Sequence, residues 1–103
     1  MPRDTEGNPI LYKPFKSKVK NKKYSVYVSS NNKKGYKTIS FGDLRYQHFR
    51  DKLGTYKNLD HNDSERRRLY LKRSKGIKNK EGQLTWKDKN SPNYYSVKYL
   101  WNG

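Results

Sequence analysis

The segment that most constrains the fold is residues 62–75, NDSERRRLYLKRSK, because its start, middle and end all favour one α-helix. Asn62 can cap this helix, and Glu65, three residues later, completes a capping box. Gly76 is expected to end the helix in a left-handed conformation. Acidic residues near the start and basic residues near the end also suit the helix dipole: Asp63 and Glu65, then Lys72, Arg73 and Lys75.

This helix is rich in arginine and poor in aliphatic residues, so it cannot be a core helix by itself. Helical spacing places Arg66, Tyr70 and Arg73 along one stripe, with Leu69 beside it. The stripe arginines either form an anion-binding surface or pair with Asp and Glu inside the fold, and their position beside Tyr70 favours internal pairing. The remaining pair, Arg67 and Arg68, is expected to be freer to contact a partner.

The chain has room for one domain, since it contains 103 residues. Only 30% of the residues are hydrophobic, but ten Tyr, three Phe and two Trp can bury large areas, so a small aromatic core is expected. We predict a single α+β domain over residues 24–103, in which a β-hairpin packs on two or three short helices. An extended basic arm over residues 1–23 precedes it.

The hairpin is predicted from two alternating segments, residues 24–29 and 36–41, which are rich in β-branched and aromatic side chains. The turn residues SNNKKG separate them. Gly42 follows and is expected to end the second strand. The side chains expected to form the apolar faces are Tyr24, Val26, Val28, Ile39 and Phe41.

Residues 43–53 carry a helical pattern, so we predict a short helix capped by Asp43 and stopped by Gly54. Residues 77–90 are polar and are expected to form a loop or a weak hairpin, with Leu84 packed inward. Trp86 is expected to pack inward with it.

The last segment, residues 91–101, is compatible with two structures. Tyr95, Val97, Tyr99 and Trp101 alternate as in a strand, yet Ser91 followed by Pro92 is a good cap and first turn of a helix. The helix is favoured.

The formal charge of +16, from 25 Lys and Arg against 9 Asp and Glu, exceeds what solubility requires and opposes compactness. A polyanionic partner relieves this repulsion; nucleic acid is the first candidate and an acidic protein surface the second. A merely solvated basic surface is the alternative. The candidate polyanion-binding residues are Lys13, Lys16, Lys18, Lys20, Lys22, Lys23, Lys33, Lys34, Arg67 and Arg68.

The arm also contains an apolar group, Ile10, Leu11, Tyr12 and Phe15. These residues belong either to a loose tail or to an arm that docks them on a neighbouring subunit. The residues alone leave both interpretations open.

The motifs of common enzymes are missing: there is no glycine-rich phosphate loop and no GxSxG elbow. Surface or packing roles are expected for His48 and His61, and helix capping explains Asn62 and Asp63 better than a nuclease fragment does. We therefore expect no enzymatic activity, cofactor, metal site or small-molecule substrate. The chain also lacks cysteine and an apolar run long enough to cross a membrane.

Four segments, YSVYV, ISFGD, DSERRRLYLKR and YYSVKYLW, resemble a family of small, basic, largely uncharacterised proteins of large tailed bacteriophages and nucleocytoplasmic giant DNA viruses. The resemblance spans residues 22–101 and excludes the arm. Its signature falls on Phe41, Gly42, Asp63, Arg66, Arg67, Tyr70, Arg73, Tyr95, Ser96, Lys98 and Trp101.

This chain departs from the family at three positions. Many relatives look as if they carry a His and a Cys after the arginine helix and another Cys in the terminal segment, where this chain has Ser74, Gly76 and Val97. Any metal or disulfide link of those relatives is therefore absent here. Aromatic packing is expected to hold the terminal segment to the helix.

The resemblance implies a viral protein and gives no established activity. Together with the charge and the arm, it leads to the hypothesis of a minor virion structural protein that binds capsid proteins of a large DNA virus or phage and, as a second partner, DNA. It would be located in the virion, and in the host cytoplasm or nucleus during assembly. The alternative is a non-structural protein that binds DNA or RNA in replication, transcription or genome condensation.

Overall fold

A three-stranded antiparallel sheet forms one layer of the protein. The computed structural model describes Gly7 and residues 9–103, so the first part of the predicted arm, residues 1–6 and 8, lies outside the described residues. The strands lie in the order β1, β2, β3, with bounds Phe15–Lys16, Lys22–Ser29 and Tyr36–Asp43.

Two short helices complete the domain, and the second of them packs on the sheet. They are α1, Ser64–Ser74, and α2, Pro92–Tyr95, and α2 continues into a wider π-helical turn at Ser96–Leu100. Single 3-10 turns lie at Lys57–Leu59 and Thr85–Lys87. The prediction of a single small α+β domain is confirmed.

The predicted hairpin is β2 and β3, paired so that Tyr24 lies opposite Phe41 and Val26 opposite Ile39. The second strand runs on past Phe41 to Asp43, so Gly42 does not end it. Gly42 instead takes a positive φ of 75° within the strand.

One face of the sheet packs on α2 through aromatic rings. The Phe41 ring lies 5.7 Å from the Tyr24 ring and 5.6 Å from the Tyr95 ring, both stacked. The other members of this core are Val26, Val28, Phe49, Leu71, Val97, Leu100 and Trp101. Five of these ten core residues are aromatic and five are aliphatic, so the core is small and mixed, where a mainly aromatic one was expected.

The described part of the arm lies along the edge of β2 that faces away from β3. The Tyr12 N–H donates to the Tyr27 carbonyl at 2.8 Å, and the Phe15 ring lies 5.0 Å from the Tyr27 ring. Since β2 begins at Lys22, the boundary predicted between residues 23 and 24 falls inside a strand.

The helix predicted for residues 43–53 is wrong, because the backbone donors of this segment bind distant acceptors. The Arg50 N–H donates to the Leu100 carbonyl at 2.9 Å, and the Lys52 N–H to the Tyr99 carbonyl at 3.0 Å. Asp43 does bind the N–H two residues later, at Arg45, but it makes a turn there rather than a helix cap.

The predicted central helix forms as α1, with a different cap at each end. Asp63, and not Asn62, is the N-cap, and its carboxylate accepts from the N–H groups of Glu65 and Arg66. Asn62 instead takes a positive φ of 54° before the cap. Gly76 is not left-handed, and the C-cap residue Lys75, which follows the last helical residue Ser74, is right-handed.

The segments after α1 follow the prediction more closely. Ser91 caps α2 with Pro92 in its first turn, which confirms the favoured helix for the last segment. Residues 77–90 form a loop with one bridge between Lys78 and Leu84, and Trp86 packs partly buried against the core.

Candidate functional site: the groove beside α1

A groove of about 570 Å³ opens between α1 and residues 42–47. The α1 wall presents Arg66, Leu69, Tyr70 and Arg73, which are the predicted stripe and its neighbour. The end of the terminal segment forms the floor, where Leu100 and Trp101 are 1% and 9% exposed. We call this the α1 groove.

The stripe arginines do not pair with acidic residues inside the described part of the fold, contrary to the favoured interpretation. Arg66 donates through one guanidinium N–H to the Gln47 side-chain oxygen at 3.0 Å. The Arg73 guanidinium lies over the Tyr70 ring, 5.7 Å from its centroid. Both arginines are exposed, so the α1 wall carries two cations that no described carboxylate neutralises.

Aromatic packing joins the α1 wall to the floor. The Tyr70 and Trp101 rings stack with their centroids 3.9 Å apart and a 7° angle between their planes. The His61 ring also contacts this stack, and its centroid lies 5.2 Å from that of the Trp101 ring. These contacts hold the terminal segment against α1, as expected for a chain without cysteine.

The opposite wall consists of Gly42, Asp43, Tyr46 and Gln47. The Asp43 carboxylate binds the Arg45 guanidinium at 2.7 Å, and this hydrogen-bonded pair lowers the pKa of Asp43 well below its usual range. Tyr46 keeps 65% of its surface exposed. The wall therefore offers one neutralised ion pair and one exposed ring.

A buried polar chain supports the groove from below. Lys23 donates through Nζ to the Tyr46 carbonyl and to His48 Nδ1, each at 2.8 Å. His48 Nε2 then donates to Asp60 Oδ1 at 2.6 Å. Because the Lys23 ammonium has no acceptor, this pattern assigns a neutral His48 between a cation and a carboxylate.

Burial shifts the pKa values of Lys23 and His48 in this hydrogen-bonded series. Lys23 is 2% exposed and His48 is fully buried. Burial lowers the pKa of Lys23 to about 8, against the opposing influence of Asp51, Asp43 and Asp60. Burial, followed by the nearby Lys23 ammonium, also lowers the pKa of His48.

Two of the predicted polyanion-binding residues, Lys23 and Arg67, are bound within the fold, and a third, Arg68, is held in a surface ion pair. Lys23 is buried in the polar chain just described, so it cannot meet a partner. Arg67 donates through Nε to the Trp101 carbonyl at 3.0 Å and through Nη2 to the Asn102 carbonyl at 2.6 Å. Arg68 pairs with Glu65 at 2.5 Å on the exposed face of α1.

The other predicted cations lie at the surface, but not in the groove. Lys22 is half-buried, while Lys13, Lys16, Lys18, Lys20, Lys33 and Lys34 are exposed. Of the apolar arm residues, Ile10 and Phe15 are half-buried, and Leu11 and Tyr12 remain 36% and 39% exposed on this chain's own sheet. Lysines along the arm and the α1 groove thus form separate basic regions.

Six of the eleven signature residues named from the resemblance line the groove. Its lining includes Gly42, Arg66, Tyr70, Arg73, Ser96 and Trp101. Asp63 caps α1. Neither Tyr46 and Gln47, whose segment the sequence predicts as a helix, nor the partners of His48 were among the predicted site residues.

The described residues, Gly7 and 9–103, contain no group of three or more His, Cys, Asp or Glu placed to hold a metal ion. In the same part of the chain, no helix is both long and apolar enough to cross a membrane. Comparisons with protein-family models, with curated proteins and with solved structures give no match to this chain.

Proposed function

We propose that this protein is a minor structural component of the particle of a large DNA virus or phage, where its basic surface binds acidic capsid surfaces and the genome. The observation that carries the proposal is exposed, uncompensated charge. Among the described lysines and arginines, Arg45 and Arg68 alone form an ion pair, while the chain carries a charge of +16. A polyanionic partner supplies the missing counter-charge.

Two further features support a structural role over catalysis. The titratable groups in closest contact, Lys23 with His48 and Tyr24 with Asp51, are buried and hydrogen-bonded within the fold. The rest of the domain is small, held by aromatic stacking, and carries its cations outward. A binding protein uses these features directly, and the resemblance adds the viral setting.

Quantitative mass spectrometry of purified particles tests this proposal. We expect the protein at a stoichiometry comparable to other minor capsid components, retained after nuclease treatment of opened particles. Its presence in infected cells but absence from particles would overturn the proposal. Electron cryomicroscopy of the same particles then shows whether the arm lies between capsid subunits.

A non-structural nucleic-acid-binding protein is the second candidate, favoured by the run of exposed lysines from Lys13 to Lys20. It requires an affinity for duplex DNA or RNA whose logarithm falls linearly with the logarithm of salt concentration, since each neutralised phosphate releases counterions. Weak binding at low salt contradicts this candidate and leaves the capsid surface as the partner.

A further inference from the structure

The α1 groove combines a basic rim with an apolar floor, a combination that the free lysines of the arm do not have. We propose that it binds an acidic peptide segment of a partner protein, in which two carboxylates bracket aliphatic side chains. This inference rests on the proposed function, because it names the chemistry of the protein surface that is recognised and the site that recognises it.

Charge complementarity selects an acidic occupant. Arg66 uses one of its five N–H donors on Gln47, and no hydrogen bond from Arg73 to a described residue occupies its guanidinium. The one carboxylate of the groove lining, Asp43, is already held by Arg45. A guanidinium fork binds a carboxylate through two parallel hydrogen bonds, so each stripe arginine can accept one acidic side chain.

The spacing of the two arginines selects the form of the peptide. Arg66 and Arg73 stand seven positions apart on the same helix face, which is about 10 Å along the axis. A peptide in the polyproline II conformation has three residues per turn, so side chains three positions apart lie on one face about 9 Å apart. Its two acidic residues therefore stand three positions apart, and the side chains between them flank Leu69, which is 51% exposed.

The aromatic residues of the groove favour a peptide over an unpaired nucleic-acid base. A base stacks on an open ring face. Trp101 is only 9% exposed, and the Tyr70 face that meets it is covered by that stacking. The floor therefore presents no open ring face, the exposed ring of the groove is Tyr46 on the opposite wall, and the exposed Leu69 of the α1 wall suits aliphatic side chains.

The test is a titration of the full-length, isotope-labelled chain with capped peptides of the sequence Gly-Glu-X-X-Glu-Gly, where X is Leu, Val, Ile or Phe. Binding is monitored through the NMR signals of the backbone amides. We expect saturable shifts confined to residues 42–47, 66–73 and 96–101. Peptides with Lys in place of Glu, or with Ser at both central positions, are expected to bind at least about tenfold more weakly.

Two double variants of equal charge make the control. R66Q/R73Q is expected to weaken peptide binding at least about tenfold, and R68Q/K72Q, on the solvent side of the same helix, less than about twofold. Leu69→Ser separates the apolar contribution, since it leaves the charge unchanged. Equal loss in both double variants, or the absence of saturable shifts with every peptide, overturns the proposal.

A single-stranded DNA dodecamer provides the competing arm of the same titration. If it shifts the groove amides and R66Q/R73Q weakens its binding more than that of the peptides, the groove is a nucleic-acid site and the proposal fails. Particle incorporation of the variants separates this failure from that of the proposed function, because incorporation without peptide binding overturns the groove assignment alone.

Discussion

Gly42 shows how strongly one residue can constrain the floor of the α1 groove. It has a positive φ of 75°, and an added Cβ would lie 2.8 Å from Leu100 Cδ1 and 3.0 Å from Lys23 Cδ. Both neighbours are buried, so neither can move aside freely. Gly35 has the same backbone requirement, with φ 78°, but nothing lies within 4 Å of its Cβ position.

We therefore expect Gly42→Ala to lower the free energy of unfolding by about 3 kcal/mol, because backbone strain and overpacking add. Gly35→Ala, the matched control, should cost about 1 kcal/mol from the backbone alone. Urea denaturation followed by tyrosine and tryptophan fluorescence measures both. Equal costs would show that Leu100 and Lys23 repack around the new methyl group.

The neutral state of His48 predicts a pH dependence of stability. Since its pKa is lowered from 6.5 in the folded protein, the unfolded chain binds the proton more readily. The contribution of His48 is therefore complete well above pH 6.5 and is lost as the pH falls through 6.5 towards the folded pKa. The carboxylates with lowered pKa values, Asp43, Asp51 and Glu65, lose their contributions only near pH 4 and below.

Urea denaturation between pH 7.5 and 5.5 measures this effect. We expect the unfolding free energy to decrease with falling pH, and His48→Gln to reduce the slope. His61→Gln is the control, because the pKa of His61 is also lowered but its ring is only partly buried. A flat profile for the wild-type chain would contradict a neutral buried His48.

The role of Lys23 could not be inferred from its sequence position. It stands among six lysines of the arm, and its place in an alternating strand gives either an exposed or a covered side chain. Only the approach of His48, from a segment 25 residues away, decides for burial. The charge pattern correctly indicated a basic surface but could not distinguish the one lysine beneath it.

At the scale of elements, the terminal helix is held by donors from outside it. A helix leaves its last carbonyls without intrahelical partners. Here Lys52 and Arg50 backbone N–H groups bind the carbonyls of residues 99 and 100, and the Arg67 guanidinium binds those of residues 101 and 102. Arg67 thus joins α1 to the end of the chain, a task that its position in the arginine run did not indicate.

We expect Arg67→Ala to lower the free energy of unfolding by about 2 kcal/mol, since it removes two hydrogen bonds from a charged donor and leaves the part-buried Trp101 carbonyl without its partner. Hydrogen exchange of residues 96–102 should accelerate in the same variant. Arg68→Ala is the matched control and should change little, because its ion pair with Glu65 is exposed to solvent. If the two variants behave alike, Arg67 is not a structural link.

The elements predicted correctly carry their signals locally. Alternation marked β2 and β3, Ser91 and Pro92 marked the terminal helix, and charge and capping marked α1. The helix prediction for residues 43–53 failed because Asp43 and Asp51 have the side chains that cap helices, yet here they accept hydrogen bonds from backbone N–H groups of loops. The acceptors that replaced the helical ones lie about fifty residues away at the end of the chain, where no local pattern shows them.

At the scale of the whole molecule, the candidate site has one wall whose residues the sequence grouped together, although internal pairing was the favoured interpretation of its arginines, and one wall that the sequence did not indicate. The stripe of Arg66, Tyr70 and Arg73 follows from helix periodicity, and it does face the groove. Tyr46 and Gln47 reach it only because their segment is fixed to the terminal helix. Recognition of a groove required knowing which distant segment lies opposite α1.

The exposed lysines form a second region, whose contribution to polyanion binding is separable from that of the groove. We expect K13Q/K16Q/K18Q/K20Q to weaken duplex DNA binding and to reduce the slope of log K against log salt by up to about 3.6, since each of the four lost phosphate contacts removes about 0.9. K78Q/K80Q/K87Q/K89Q removes the same charge from the exposed loop after α1 and is expected to change the slope by less than about 1. Fluorescence anisotropy of labelled duplex DNA measures both slopes at about 50 to 300 mM salt, where counterion release dominates. Equal slopes for the two variants would mean that DNA responds to the total charge of the molecule and not to the arm.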